Sequence, residues 1–352
     1  MCSGEAGDGG GVRDRNSREA RGSGKRAISV IIPTLNALPT LRTCLESVLR
    51  AAGRHGMVEI IVVDNGSTDG SFEVLTSNYS TRARIVRLES VTIAKMRNYG
   101  ASLARGEVLS FLDSDCAIPE SYFLKAEAVF EKLGCAATGS MCGVPASPHW
   151  VEETWYGLHG RNRDGYVTYI NSGNLLVRKQ AFDQVGGFDD ELVTGEDAAL
   201  AQKLRGEGLK VYECRELSAV HFGNPKTIGE FFRRQLWHGL GALGTFRHHW
   251  WDKPVLLTML HGALIILGIA NLVLVREPWP VRLLVLLACF GFAPLLAVLY
   301  RSGQARKLYR PFRGILLYFL YLTARATSLL VILKRRLLGE KMQEMSWKRR
   351  RG

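Results

Sequence analysis

The sequence has little cysteine, and what it has is scattered: seven residues in 352, with no Cys-x-x-Cys pair. An odd, dispersed set argues against a disulfide framework or a structural zinc site and fits reduced thiols in a cytosolic compartment. No apolar run follows Met1, so a secretory signal peptide is not expected. Excess positive charge is missing from the front of the chain. The net charge is +13, yet residues 251–352 hold 17 Lys and Arg against 4 Asp and Glu, which leaves 29 of each sign in the first 250 residues. A neutral front carries no nucleic-acid footprint. The basic residues coincide with long apolar runs, which points to an anionic lipid surface as partner. Residues 1–26 offer almost nothing to bury and are expected to form a disordered tail.

What is present reads as an α/β domain over residues 27–224. Short apolar, β-branched runs at 28–32, 59–63, 83–88 and 108–112 alternate with helical stretches at 38–52 and 93–104. That alternation implies right-handed βαβ units and a parallel sheet. Further on, the pattern predicts helices at 121–133, 181–185 and 198–205. Strands are predicted at 166–170 and 174–178, with edge strands at 210–214 and 219–222. Residues 135–165 show no period and are expected to lie beside the site. Residues 225–252 read as an amphipathic, interfacial helical region.

The run at 108–112 ends in Asp113-Ser114-Asp115. Two carboxylates with this spacing point the same way at a strand end, where open α/β sheets bind ligands. Such a pair suits Mg²⁺ or Mn²⁺, with ligand phosphates completing the shell. A polar turn capping the next helix is the alternative use of the same residues.

From residue 253 the composition changes. Residues 255–275 and 279–300 are apolar and long enough to cross a bilayer. Residues 312–333 are apolar too but carry Arg325 in the middle, which would cost about 2.5–3.5 kcal/mol on insertion scales. Basic residues at 301–310 and 334–351 both favour the cytoplasmic side. Both can be inside if the third segment lies in the interface. Two spans are therefore expected, with three spans as the alternative.

Seven motifs occur in one order. They are Ser29-Val30-Ile31-Ile32-Pro33-Thr34-Leu35-Asn36, Val62-Val63-Asp64-Asn65-Gly66-Ser67-Thr68-Asp69, Arg97-Asn98-Tyr99-Gly100, Phe111-Leu112-Asp113-Ser114-Asp115, Ser172-Gly173-Asn174, Gly186-Gly187-Phe188-Asp189 and Glu196-Asp197. Across roughly residues 27–240 the chain resembles the family 2 glycosyltransferases. The resemblance implies an α/β GT-A fold, Rossmann-like and mostly parallel, followed by transmembrane and interfacial helices. It implies inverting transfer from a nucleotide-sugar, a UDP-sugar first, to a lipid-linked or glycan acceptor at the cytoplasmic face of the cell's inner membrane. By the same resemblance Pro33, Thr34, Asn36, Asp64, Arg97, Asp113, Ser172 and Gly173 would bind the donor. Asp115, Asp113 and His221 would hold Mg²⁺ or Mn²⁺. Asp197 would be the catalytic base, with Glu196 beside it. Arg233, Arg234 and Trp237 would meet the acceptor or the diphosphate.

The residues also admit plainer roles: a turn cap for Asp64, a solvated Arg97, helix N-terminal acids at Glu196 and Asp197, and a structural His221. Asn65 stands where many relatives have an acid, which leaves the nucleotide preference open. Arg233-Arg234-Gln235-Leu236-Trp237 departs from the Gln-x-x-Arg-Trp motif and argues against a long-chain synthase. Nucleotidyltransferases share the topology, but they carry a Gly-rich loop where this chain has Pro33-Thr34-Leu35-Asn36. A non-enzymatic membrane adaptor is disfavoured by the two intact acid pairs.

Overall fold

The computed structural model describes residues 26–159, 164–192, 194–246, 253–305 and 308–338. The expected N-terminal tail up to residue 25, the residues at 247–252, Arg306, Lys307 and the basic segment from 339 lie outside the described residues. The first half follows the predicted alternation: β1 (Ile28–Thr34), α1 (Leu38–His55), β2 (Val58–Asp64), α2 (Ser71–Asn78), β3 (Arg84–Arg87), α3 (Ile93–Leu103) and β4 (Val108–Leu112). The second half is more broken: β5 (Cys116–Ala117), α4 (Tyr122–Leu133), β6 (Ala137–Gly139), α5 (Trp150–His159), β7 (Gly165–Tyr166), β8 (Asn174–Arg178), α6 (Lys179–Gln184), α7 (Glu196–Gly206), β9 (Val211–Glu213) and β10 (Val220–His221).

Eight strands form one sheet in the order β3-β2-β1-β4-β8-β6-β9-β7. Pairing is parallel from β3 through β4, and β8 enters antiparallel to β4. The order reverses between β1 and β4, which makes their carboxyl ends the switch point where such sheets bind ligands. The two-residue strand period explains the layers. Val30 and Ile32 enter one core with Leu41, Leu45 and Val48 of α1 and Phe123 of α4. Ile31 points to the other side, with Ala94 and Met96 of α3 and Leu200 of α7. Each such side chain contributes about 1.5–3 kcal/mol on full burial.

Two expectations need correction. The 210–214 strand is β9, which lies between β6 and β7 and is not an edge. The 219–222 strand leaves the main sheet and pairs with β5, placing His221 opposite Cys116. Residues 135–165 hold β6 and α5, and α5 packs on the apolar helices that follow. Its apolar residues answer to that later partner, which is why they show no period of their own.

The last elements are α8 (Ile228–Phe246), α9 (Lys253–Leu274), α10 (Trp279–Ala305) and α11 (Pro311–Leu337). The last three are long and apolar enough to cross a membrane. α9 and α10 form a hairpin with outward apolar residues such as Ile266, Val273 and Leu284, each at least 67% exposed. α11 packs on α9 and α10 and also runs along α5 and α8. Trp155 of α5 lies at the centre of that contact, its ring 4.8 Å from Phe231 and 5.4 Å from both Tyr318 and Tyr321. Gly239 lets α8 and α11 approach closely, since a Cβ there would collide with the Ser328 side chain. The Ser328 hydroxyl donates to the Leu236 carbonyl at 2.7 Å.

Candidate active site

A cleft of about 860 Å³ opens at the carboxyl ends of β1 and β4. Pro33, Thr34, Asn36, Asn65 and Gly66 line it from the β1 and β2 turns. Asn36 holds those turns together: its amide N–H donates to Ser67 Oγ and its side-chain oxygen accepts from the Thr68 N–H, both at 2.9 Å. Asp64 is fully buried beneath this wall. Its Oδ2 accepts from the Gly66 and Ser67 amides at 3.0 Å, so the turn-capping role is real. Its Oδ1 and the Thr34 hydroxyl are buried with no hydrogen-bond partner among the described residues. Buried polar atoms are normally satisfied, so unpartnered ones beside a cleft indicate a ligand position.

Arg97 lines the cleft and is engaged by two of its acids. It is 2% exposed, and its two terminal nitrogens donate to Asp113 at 2.8 Å and Glu196 at 2.7 Å. Burial disfavours its charge, but Asp113, Glu196 and Asp197 more than restore it, so its affinity for the proton rises. It is a strut between β4 and α7 rather than a free cation. Asp113 also donates its amide N–H to the Gly173 carbonyl at 3.1 Å, while Ser172, its hydroxyl without a hydrogen-bond partner among the described residues, lines the cleft.

Asp115 and His221 face each other, Oδ1 to Nε2, at 3.3 Å. Their ligand atoms and the Cys116 sulfur all lie within 4.8 Å of one another. Burial raises the Asp115 carboxyl above its ordinary range, opposed by His221 and reinforced by Asp113. Gly223 closes over this carboxylate so tightly that a Cβ there would collide with it. The Cys116 thiol is held protonated by its contact with Cys142 at 3.8 Å and by burial, which disfavours a thiolate ligand. A carboxylate with an imidazole, in a cleft large enough for phosphates, fits a hard divalent cation, so these residues fit Mg²⁺ or Mn²⁺.

Across the cleft, Gly195 adopts a left-handed conformation (φ +86°) and starts α7, presenting Glu196 and Asp197 in its first turn. Five carboxylates line the cleft: Glu89, Asp113, Asp115, Glu196 and Asp197. The first four each have a basic side chain within 4.0 Å, whereas Asp197 has none among the described residues. Its oxygens take a hydrogen bond from Tyr169 Oη at 3.1 Å and one from the Ala198 amide at 2.8 Å. Burial, and then the neighbouring Glu196 charge, raise its carboxyl to about 6.

The remaining wall comes from α8, α9 and α11: Arg234, Trp237, His238, Pro254, Val255, Tyr321 and Arg325. Arg233, expected beside Arg234, is exposed and does not line the cleft, because neighbouring residues on a helix project about 100° apart. Burial, with Arg234 and Arg325 nearby, pushes the His238 imidazole down to about 3, so it is neutral. None of the described residues of 135–165 lines the cleft. Tyr169, His238, Tyr321 and Arg325 were missed as site residues. Of these, only Arg325 carried a signal, as a charge inside an apolar run.

The family model described as glycosyl transferase family 2 matches residues 29–186, and the one described as glycosyl transferase family group 2 matches residues 108–327. The chain belongs to the family 2 glycosyltransferases. This glycosyltransferase is 25% identical over 233 residues to glycosyltransferase AglE of Haloferax volcanii, covering 61% of this chain and 73% of that protein. It is 23% identical to the succinoglycan biosynthesis protein ExoA of Rhizobium meliloti, covering 62% of this chain and 70% of the relative. Its match to the O-antigen biosynthesis protein RfbC of Myxococcus xanthus, 25% identical, covers 56% of this chain and only 17% of that protein. Among solved structures, it resembles the mannosyltransferase PcManGT of Pyrobaculum calidifontis, solved with GDP-Man and Mn²⁺. The TM-score is 0.58, identity 20%, and coverage 88% of both chains. The fold of the glycosyltransferase is therefore GT-A, as the motif order implied, with three apolar helices at its C-terminal side.

Proposed function

We propose that this glycosyltransferase transfers one sugar, with inversion, from a nucleotide-sugar to a lipid-linked or glycan acceptor at the cytoplasmic membrane face. The observation that carries this is the isolation of Asp197: one carboxylate without a cationic partner, poised near neutral, in the same cleft as Asp115 and His221. A single displacement needs one such base to take the proton of the attacking hydroxyl. Tyr169 fixes the orientation of that carboxylate, and Arg97 occupies Glu196 so that it cannot compete for the role. Asp64 Oδ1 and the Thr34 hydroxyl supply acceptors for a nucleotide base and ribose, with Ser172 on the sugar side. Asp115 and His221 would hold Mg²⁺ or Mn²⁺, which when bound supplies positive charge to the departing diphosphate. UDP-sugars are the first donors to test, and GDP-mannose belongs in the panel because PcManGT was solved with it. In a thermal-shift panel on detergent-solubilised protein, one nucleotide class should raise the melting temperature only with Mn²⁺ present. No metal-dependent shift with any nucleotide-sugar would overturn the reading.

The same reading places residues 27–224 as the catalytic domain and 225–252 as interfacial. It makes α9 and α10 the two spans, with α11 in the interface. Support comes from α11 itself. Gly314, Tyr318 and Tyr321 meet α5, so about 10 Å of the helix runs along the catalytic domain, and Arg325 and Ser328 continue the contact onto the interfacial helix α8. A helix crossing a bilayer would leave that domain behind. A reporter fused after Gly352 should give a cytoplasmic signal; an exterior signal would exclude the in-plane helix.

A further inference from the structure

β10 ends at His221, and the chain then folds back over Asp115. The His221 amide donates to the Gly143 carbonyl at 3.0 Å and the Phe222 amide to the Asp115 carbonyl at 2.8 Å. Asn224 Nδ2 returns to the His221 carbonyl at 3.0 Å. Between these ties the Gly223 backbone presses on the Asp115 carboxylate, with no room for a Cβ. The Gly223 carbonyl accepts from Arg234 Nη1 at 2.6 Å, a tie that reaches across to α8. A hydrogen bond with a charged donor is about twice as strong as a neutral one. α8 is itself gripped just beyond this point. The carbonyls of Leu236 and His238 accept from Ser328 Oγ at 2.7 Å and Arg325 Nη1 at 3.1 Å, both on α11. The segment over Asp115 is thus fastened to Asp115 and Gly143 at one end and to the helices at the other.

We infer that Arg234 is a positioning residue: it holds the Gly223 backbone over Asp115 and so keeps the Asp115 carboxylate and the His221 imidazole set for a divalent cation. The inference rests on the reading of Asp115 and His221 as the holders of Mg²⁺ or Mn²⁺. It gives Arg234 a different task from contact with an acceptor or a diphosphate. Groups that orient metal ligands from behind change metal affinity although they never touch the ion. The sign of the effect separates this task from simple charge. A guanidinium near a cation site repels the ion through space, so by charge alone its removal would tighten metal binding. By positioning, its removal weakens it.

The test titrates Mn²⁺ into the detergent-solubilised full chain without nucleotide, following the free ion by its EPR signal. Arg234→Met keeps the length of the stem and loses the charge and the donors. It should bind Mn²⁺ about 10–100-fold more weakly than wild type. Arg234→Lys keeps a donor and should fall between the two. Gly223→Ala, whose methyl group would turn the Asp115 carboxylate away, should bind no better than Arg234→Met. Hydrogen exchange on the metal-free protein is the second readout: the His221 and Phe222 amides should exchange faster in Arg234→Met than in wild type. At saturating Mn²⁺ the affinity of Arg234→Met for UDP or GDP should return close to that of wild type. Should Arg234→Met fail to fold, Arg234→Lys carries the same readouts at smaller amplitude. Unchanged or tighter Mn²⁺ binding by the variant would overturn the inference. So would a loss of nucleotide affinity that persists at saturating Mn²⁺, which would put Arg234 on the diphosphate. If wild type itself binds no Mn²⁺, the metal reading fails and the inference with it, a result distinguishable from a variant that binds as wild type does.

Discussion

Asp197→Asn should lower turnover by roughly 10²–10⁴-fold and leave donor binding unchanged. The substitution keeps the shape but removes the proton acceptor; its single amide oxygen can take the bond from the Ala198 N–H at the Oδ1 position, while the Tyr169 hydroxyl at the Oδ2 position must turn to accept from the new NH2. The pH dependence gives an independent check. Burial and Glu196 raise the Asp197 carboxyl to about 6, so the basic form is lost as pH falls through that value. Turnover of wild type should therefore climb with pH through about 6 and level off above it, and this limb should be absent from the Asn variant. A collapse of donor affinity with turnover of bound donor preserved would instead put Asp197 on the donor side.

Asp115→Ala should abolish both activity and metal-dependent nucleotide binding. The residue sits in the turn between β4 and β5 with its side chain 28% exposed, outside both cores of the sheet. What anchors the turn is backbone: the Asp115 carbonyl accepts from the Phe222 amide at 2.8 Å, and this survives the substitution. The melting temperature without ligand should thus stay near that of wild type, while the Mn²⁺-dependent shift disappears. Chelation of metal from wild type should reproduce the loss. Wild-type-like binding of UDP and Mn²⁺ by Asp115→Ala would remove this residue from the site.

Both experiments separate residues that the sequence presents as near equals. Asp113 and Asp115 alternate along one strand end, and Glu196 and Asp197 are adjacent. What distinguishes them is Arg97, which takes Asp113 across 16 residues and Glu196 across 99. Asp113 and Glu196 are thereby held by Arg97, and Asp115 and Asp197 are not.

The sequence by itself determined the elements whose cause is local. Apolar β-branched runs made β1, β2 and β4, because strands buried on both faces need no other pattern. The motifs named acids that line one cleft, and the apolar runs located α9, α10 and α11. Only the tertiary structure decided which groups are free. Asp64 Oδ2 is consumed by its own turn and Oδ1 is not, and Arg97 is a strut. Arg233 points away where Arg234 points in, and α5 packs against α11, which begins about 150 residues later. Arg325 was visible as a charge in an apolar run, but its place on the wall of the cleft was not. The physical reason is range. A strand or a helix is favoured by neighbours a few positions away, whereas the pairing of a buried charge depends on what the sheet order and the helix docking bring beside it.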